Sequence, residues 1–440
     1  MAFNERLWLF GRGITPEWEA VKLDRISKSI RRLKIITESA HNWKITARDK
    51  QHLNGIKKFI LSRSPLRNIL ITHPCFDHWL HLWSLSRTRS TQHRQMLLGI
   101  FQGFAAPLEM KFGKEIVFSA STDLNGRFYF YGTPYYLQLP GNKFPAIFKI
   151  RLQNKNVLLD IENGERISTR LSRISEIIPG ICTDSSNWLL TCDIAQQDLA
   201  TLKGNHKDKF IFTLKSALAD IEKKEPSLYA EMLEMLHTII PLTSPSSDIS
   251  VSSSYSTLRG AIALSPSEDI LIQAETLIHE HCHQKINQLL PLEPMLLHGQ
   301  SSRIFYSPWR TDARHLRGIL LGAHAFLNVA RYLAKTIKTD AIPKEKRFYI
   351  MSMMARRIFQ TQDALQTLSY YGSFTEFGRR FLLGCWKELG VLRQGIERYP
   401  ADILKEQKKY CANHRKAYAL PGLGIHKGVP RGNVRETIRR

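Results

Sequence analysis

The sequence predicts an α+β protein, mostly helical, with a central antiparallel β region and a helical C-terminal half. Three observations carry that reading. Apolar residues recur every three or four positions up to about residue 112, switch to a period of two between about 114 and 195, and return to helical spacing from about 208. The implied organisation is a basic helical region over 1–112, an antiparallel β-rich region over 113–200, a helical domain over 201–420 and a basic flexible tail over 421–440.

The helical spacing begins with Ile26, Ile30, Leu33 and Ile36, continues through Leu53, Ile56, Ile60 and Leu61, and reaches the aromatic-rich run from Phe76 to Trp83. His78 and His81 in that run read as helix histidines beside two tryptophans and are left out of the site. Strands are expected at Glu115–Ser119, Arg127–Tyr131, Pro145–Ile150, Asn156–Ile161 and Trp188–Thr191, with turns at Asn125-Gly126, Gly141-Asn142, Asn163-Gly164 and Pro179-Gly180. Tyr129, Tyr131, Tyr135 and Tyr136 are read first as sheet packing and second as the lining of a peptide groove. Helices follow at Asp208–Glu222 and Ser227–Ile239, then a Ser- and Pro-rich stretch over 241–254, then an alternating edge strand at Thr257–Ser265 able to hold an extended peptide. Phe348–Leu368 and Phe374–Leu389 are the last expected helices, with Arg356-Arg357 and Arg379-Arg380 on solvated faces and a basic tail from Lys405.

Composition bounds the class. The chain has 440 residues, 43% hydrophobic and 23% charged, enough for two or three packed domains and unlike a disordered protein. A net charge of +24 favours an anionic partner such as an acidic peptide, nucleic acid or an anionic lipid surface, although a solvated basic surface accounts for it equally well. Six cysteines lie scattered without a C-x-x-C pair, which fits reduced thiols in the cytoplasm. The N-terminal residues contain no signal-peptide core. The most apolar stretch, Leu316–Ala334, is interrupted by Arg317, His324, Asn328 and Arg331 and reads as a buried helix, so no membrane partner is expected.

The chemistry concentrates at Thr276–His283, T-L-I-H-E-H-C-H. His279 and His283 stand one helical turn apart, so both imidazoles project from one face and can grip a single metal ion, with Glu280 between them in an H-E-x-x-H pattern. A capping serine or aspartate among Ser265–Asp269 starts the helix, and Pro291 stops it. Two histidines leave a metal under-coordinated. His324, in the apolar segment Gly318–Leu327, is the preferred third ligand, with Glu293, His298 and His315 as the other candidates by type. Arg310 and Arg314, in the turn F-Y-S-P-W-R-T-D-A-R, suit either bidentate capture of a carboxylate or a structural ion pair with Asp312.

These segments, T-L-I-H-E-H-C-H-Q-K-I-N-Q-L-L, F-Y-S-P-W-R-T-D-A-R and R-G-I-L-L-G-A-H-A-F-L-N-V-A in this order, together with the preceding S-S-S-Y-S-T-L-R-G-A-I-A-L-S, resemble the HExxH-motif peptide-modification proteins. These accompany ribosomally made peptides and include 2-oxoglutarate-dependent peptide β-hydroxylases. The resemblance covers about 250–334. It implies iron(II) and 2-oxoglutarate as cofactors, a precursor peptide as substrate, His279, His283 and His324 as iron ligands, Arg310 or Arg314 on the distal carboxylate of 2-oxoglutarate, and Glu280 as an acid orienting a neighbouring group. Two other readings compete. A zinc metallopeptidase would use Glu280 as general base, but no E-x-x-x-[DE] or H-x-x-G-x-x-H extension follows. A non-catalytic basic protein would engage an acidic peptide or nucleic acid through Arg31, Arg32, Lys34, Lys57, Lys58, Trp79 and Trp83, although no nucleic-acid motif is present.

Overall fold

The computed structural model describes residues 16–39, 46–86, 90–109, 116–140, 145–153, 156–162, 164–246, 249–297, 304–338 and 342–419. Its elements make a mostly helical α+β protein with several antiparallel sheets. The chain forms two compact units. One contains Pro16–Lys215 and Met235–Glu268, the other Ser216–Glu234 and the chain from Asp269 onward. The expected division near residue 112 therefore falls inside the first unit, because the N-terminal helices and the β region pack on a shared core.

In that unit α1 (Pro16–Ser39), α2 (Ala47–Leu61), α3 (Pro65–Thr72), α4 (Pro74–Leu85) and α5 (Thr91–Glu109) come first. Thr46 and Asp49 close a reciprocal capping box at the start of α2, and Pro65 and Pro74 occupy first-turn positions where a missing N–H costs nothing. Phe59, Phe76, Trp79, Phe101 and Phe104 interlock between these helices, and the Trp79 indole donates to the Leu97 carbonyl at 2.7 Å. Trp79 and Trp83 are thus core residues, 0% and 6% exposed, and have no face to offer a nucleic-acid base. Gly103 lets α5 lie directly on the backbone of Tyr129, since a Cβ there would stand 2.2 Å from that carbonyl oxygen.

The β region comprises β1 (Ile116–Ser121), β2 (Arg127–Phe130), β3 (Tyr135–Gln138), β4 (Ile147–Gln153), β5 (Asn156–Ile161), β6 (Arg166–Arg170), β7 (Ser172–Arg173), β8 (Ser175–Ile178) and β9 (Ile181–Thr183). β1, β4, β5 and β6 pair antiparallel in that order, and β2, β3 and β7 form a second antiparallel sheet. Gly126 and Gly180 adopt positive φ at two of the expected turns, while Gly141-Asn142 and Asn163 lie outside the described residues. Tyr129 and Tyr131 are buried and stacked on one another, so they pack the sheet rather than line a groove.

Three expectations between Trp188 and Leu264 are corrected. Trp188–Thr191 is a short helix, α6, because the Asn187 side chain accepts the Leu189 N–H and starts a helical turn. An apolar run of that length carries no period to separate strand from helix. After α7 (Gly204–Lys224), helix α8 (Pro226–Met235) ends early, and the β-branched run that follows makes strand β10 (Thr238–Pro241). Finally β11 (Ser252–Ser254) and β12 (Ala261–Leu264) join a five-stranded sheet of order β11-β12-β10-β9-β8. β12 has β11 antiparallel on one side and β10 parallel on the other, so its hydrogen-bonding groups are taken and it is not an edge strand.

The second unit holds α9 (Ile270–Leu289), the two-residue strands β13 (Ile304–Phe305) and β14 (Arg314–His315), then α10 (Leu316–Ile337), α11 (Lys344–Tyr371), α12 (Glu376–Ile396) and α13 (Ala401–Tyr418). The expected basic tail from Lys405 is instead α13, which docks on α11 through Ile403, Gln407 and Cys411; Arg356 donates to Gln407 at 2.8 Å. The terminal segment 421–440 lies outside the described residues. α10 is buried along most of its length, and among the described residues no helix is long and apolar enough to cross a membrane.

Candidate metal centre

Helix α9 starts where Asp269 accepts the Leu271 N–H at 2.7 Å. Ala274, Leu277, Ile278, Ile286 and Leu289 are fully buried, which fixes the helix in the unit's core. His279 and His283 are left on a partly exposed face. Their Nε2 atoms stand 2.9 Å apart, with ring centroids at 4.4 Å. In the absence of an ion one ring donates its Nε2–H to the other. The spacing also suits a shared ion: two nitrogens at about 2.1 Å from one metal lie about 3.0 Å apart at a right angle and about 3.4 Å apart at the tetrahedral angle. Burial holds His283 down at about 4, and burial, His283 and the Arg357 guanidinium together hold His279 well below the usual histidine value. Both rings are therefore neutral at pH 7, the form that ligates metals.

The opposite face of α9 is anchored by charge. His281 Nε2 and Lys285 Nζ each lie 3.0 Å from a Glu231 carboxylate oxygen of α8, and all three side chains are almost completely buried. Burial alone would raise the Glu231 carboxyl, but Lys285 and His281 outweigh it and hold it below its ordinary value. His281 is about 200° around the helix from His279, so satisfying it at the back turns the histidine pair to the front.

Beside the pair stands Phe326 of α10, its ring 4.6 Å from that of His279. Trp309 packs on Phe326 at 5.1 Å and lies in the space left by Gly322, where a Cβ would come within 2.2 Å of the indole. Over the Phe326 ring, 4.3 Å from its centroid, is the guanidinium of Arg357. This arginine was expected on a solvated face. It is instead largely enclosed, because α11 packs lengthwise on α10 and turns Arg357 inward, while Arg356 lies over Tyr410. Arg357 Nη1 donates to Gln360 at 3.2 Å, Nη2 lies 3.9 Å from the Glu275 carboxylate, and the buried Nε has no hydrogen-bond partner. Gln360 in turn donates to the Pro308 carbonyl at 2.8 Å and so ties α11 to the Ser-Pro-Trp-Arg turn.

The residues expected around the pair are distributed differently. His324 is buried against Phe381 of α12, ring centroids 5.6 Å apart. It is two positions from Phe326, about 200° around α10, so the rotation that brings Phe326 to His279 carries His324 away. Arg310 and Arg314 both grip Asp312, each at 2.7 Å, on the surface, which is the ion-pair alternative rather than carboxylate capture beside the metal. Glu280 is 2% exposed. Neither Glu293 nor His315 completes a three-ligand set with the pair, and His298 lies outside the described residues. Among the described residues the one cluster of three His, Cys, Asp or Glu donors within 4.8 Å of one another is His78, Cys192 and Asp193, in the first unit.

Sequence reasoning missed Arg357, and no local signal marks it out, since its role follows from how α10 and α11 pack. No family model matches the chain, and no curated protein shows significant similarity to it.

Proposed function

We propose that the chain is an iron(II)- and 2-oxoglutarate-dependent hydroxylase acting on the β-carbon of a side chain in a ribosomally made precursor peptide. The observation that supports this most is the neutral His279–His283 pair, partly exposed, beside a guanidinium with unused donor capacity. The 2.9 Å separation brings the two ring nitrogens close enough to share one ion. Bound iron with 2-oxoglutarate and dioxygen would supply the oxidising power for C–H hydroxylation.

The chain's own residues do the rest. His279 and His283 would hold the ion from one helix face, and among the described residues no third His, Cys, Asp or Glu donor stands with them. Arg357 replaces Arg310 and Arg314 as the partner for the distal carboxylate of 2-oxoglutarate: it is enclosed, oriented by Gln360, and screened from water by Trp309 and Phe326. Phe326 packs on the His279 ring and Trp309 backs Phe326. Glu280, buried on the same helix, would be an acid that orients a neighbouring polar group.

The test is to load the protein anaerobically with iron(II), add 2-oxoglutarate, oxygen and the product of a neighbouring short peptide gene, and measure succinate and peptide mass. Succinate with a peptide heavier by one oxygen atom is expected. A charged hydrogen bond is worth roughly 1.5–3 kcal/mol, so Arg357→Ala should raise the half-saturating 2-oxoglutarate concentration about 10- to 150-fold with iron content unchanged. Arg310→Ala and Arg314→Ala should leave it within about twofold, as expected for exposed pairs. Cleaved peptide without succinate, restored by zinc, would replace this reading with a peptidase in which Glu280 is the general base.

A further inference from the structure

Three donors of different chemistry converge in the first unit. His78 projects from α4, Cys192 caps the C-terminus of α6, and Asp193 follows it. The Cys192 Sγ is 3.7 Å from His78 Nε2, and the Asp193 Oδ2 is 3.2 Å from the same nitrogen. All the ligand atoms lie within 4.8 Å of one another. We propose that His78, Cys192 and Asp193 bind a zinc-class divalent cation, distinct from the ion held by His279 and His283, with solvent at its fourth position.

The distances support it quantitatively. With metal–ligand lengths of about 2.05 Å to nitrogen, 2.3 Å to sulfur and 2.0 Å to oxygen, tetrahedral angles place N and S about 3.6 Å apart and N and O about 3.3 Å apart. The observed 3.7 and 3.2 Å match both. A Cys-His-Asp catalytic relay is ruled out by the same geometry, because a relay needs the thiol and the carboxylate on opposite ring nitrogens. Here both face Nε2, so they are arranged around a point and not along a chain.

Placement points the same way. His78 is fully buried, and its Nε2 faces both the carboxylate and the thiol, an arrangement that one cation can bridge, with the thiol proton released on binding. Cys192 is half-buried and the Asp193 side chain is 41% exposed, which gives an ion a path in and leaves one position for water. His81, whose ring lies 5.9 Å from that of His78, stands beside the cluster without joining it. The site would tie α4 to the segment after α6, and the soft thiolate favours zinc over magnesium or calcium.

Cobalt(II) titration of the reduced, metal-stripped full-length chain tests this, because thiolate ligation gives an intense near-ultraviolet charge-transfer band that histidine and carboxylate ligands do not. The band should saturate at about one equivalent, disappear in Cys192→Ser, weaken at least tenfold in apparent affinity in Asp193→Asn, and persist in the His279→Ala/His283→Ala double variant. Zinc should displace the cobalt and, in the His279→Ala/His283→Ala background that removes the other ion site, raise the melting temperature of the chain with Cys192 but not of the same chain carrying Cys192→Ser. His78 is too deeply buried for its replacement to be informative, whereas Cys192→Ser keeps volume and its fold is checked by circular dichroism without metal. No band in the wild type, or a band that survives Cys192→Ser, overturns the proposal.

Discussion

Replacing Glu231 by leucine isolates the device that sets the rotation of the metal helix. The carboxylate lies 3.0 Å from both Lys285 Nζ and His281 Nε2, and the Lys285 and Glu231 side chains are only 4% and 6% exposed. Breaking a buried ion pair from one side costs roughly 3–5 kcal/mol, mostly from the charge left behind. For a folding unit of about 150–250 residues each kcal/mol moves the melting temperature by about 2–4 °C, so Glu231→Leu should lower it by about 6–20 °C. Calorimetry of Glu231→Leu, Lys285→Met and the double variant gives the coupling. The double variant should recover at least half the loss, since both charges are gone and apolar side chains fill the volume. The sign with pH is fixed by the depressed Glu231 value: its contribution is present above the ordinary carboxyl value near 4.5 and is lost as pH falls through the lower folded one, so wild type and Glu231→Leu should draw together only as pH falls below 4.5. A shift under about 2 °C, or a coupling under about 0.5 kcal/mol, would mean that the buried charges do not hold α9 in place.

Gly322→Ala should cost about 1–3 kcal/mol by overpacking, because the new methyl meets the rigid Trp309 indole, and should alter tryptophan fluorescence. Gly318→Ala, where the nearest atom is 3.5 Å away, is the matched control and should be neutral or mildly stabilising. In the first unit, burial holds His52 and His237 at about 4 and His73 at about 3. Because these folded values lie below the ordinary 6.5, their contribution to stability is complete above about pH 6.5 and is lost as pH falls toward 4. The slope per histidine is at most about 1.4 kcal/mol per pH unit. Urea midpoints for that unit should therefore fall steadily from pH 6.5 to 4.5, and a flat profile would show that these rings ionise without penalty.

How much of this was legible depends on whether the determining interactions are local. Helix α9 was readable to its ends, because the Asp269 cap, the apolar period and the His279–His283 spacing all act within a few residues of one another. β2 and β5 were placed within a residue for the same reason, through Gly126 and the alternation around them. The misreadings have a common physical origin. Trp188–Thr191 and the end of α8 are short apolar runs in which a single cap or a β-branched cluster decides the outcome. The exposed or buried fate of a charged residue is harder still: Arg310, Arg314 and Arg357 are chemically alike, and only the packing of α11 on α10 encloses the third and leaves the first two with Asp312. His324 shows the opposite error, since an apolar helix does not reveal which of its faces meets α9 and which meets α12. His78 and Cys192, 114 residues apart, illustrate the limit most sharply. Each looks ordinary alone, and the chemistry exists only where tertiary structure aims a thiol and a carboxylate at the same ring nitrogen. A motif identifies donors that one helix brings together; donors brought together by several elements have to be read from distances and from which atom faces which.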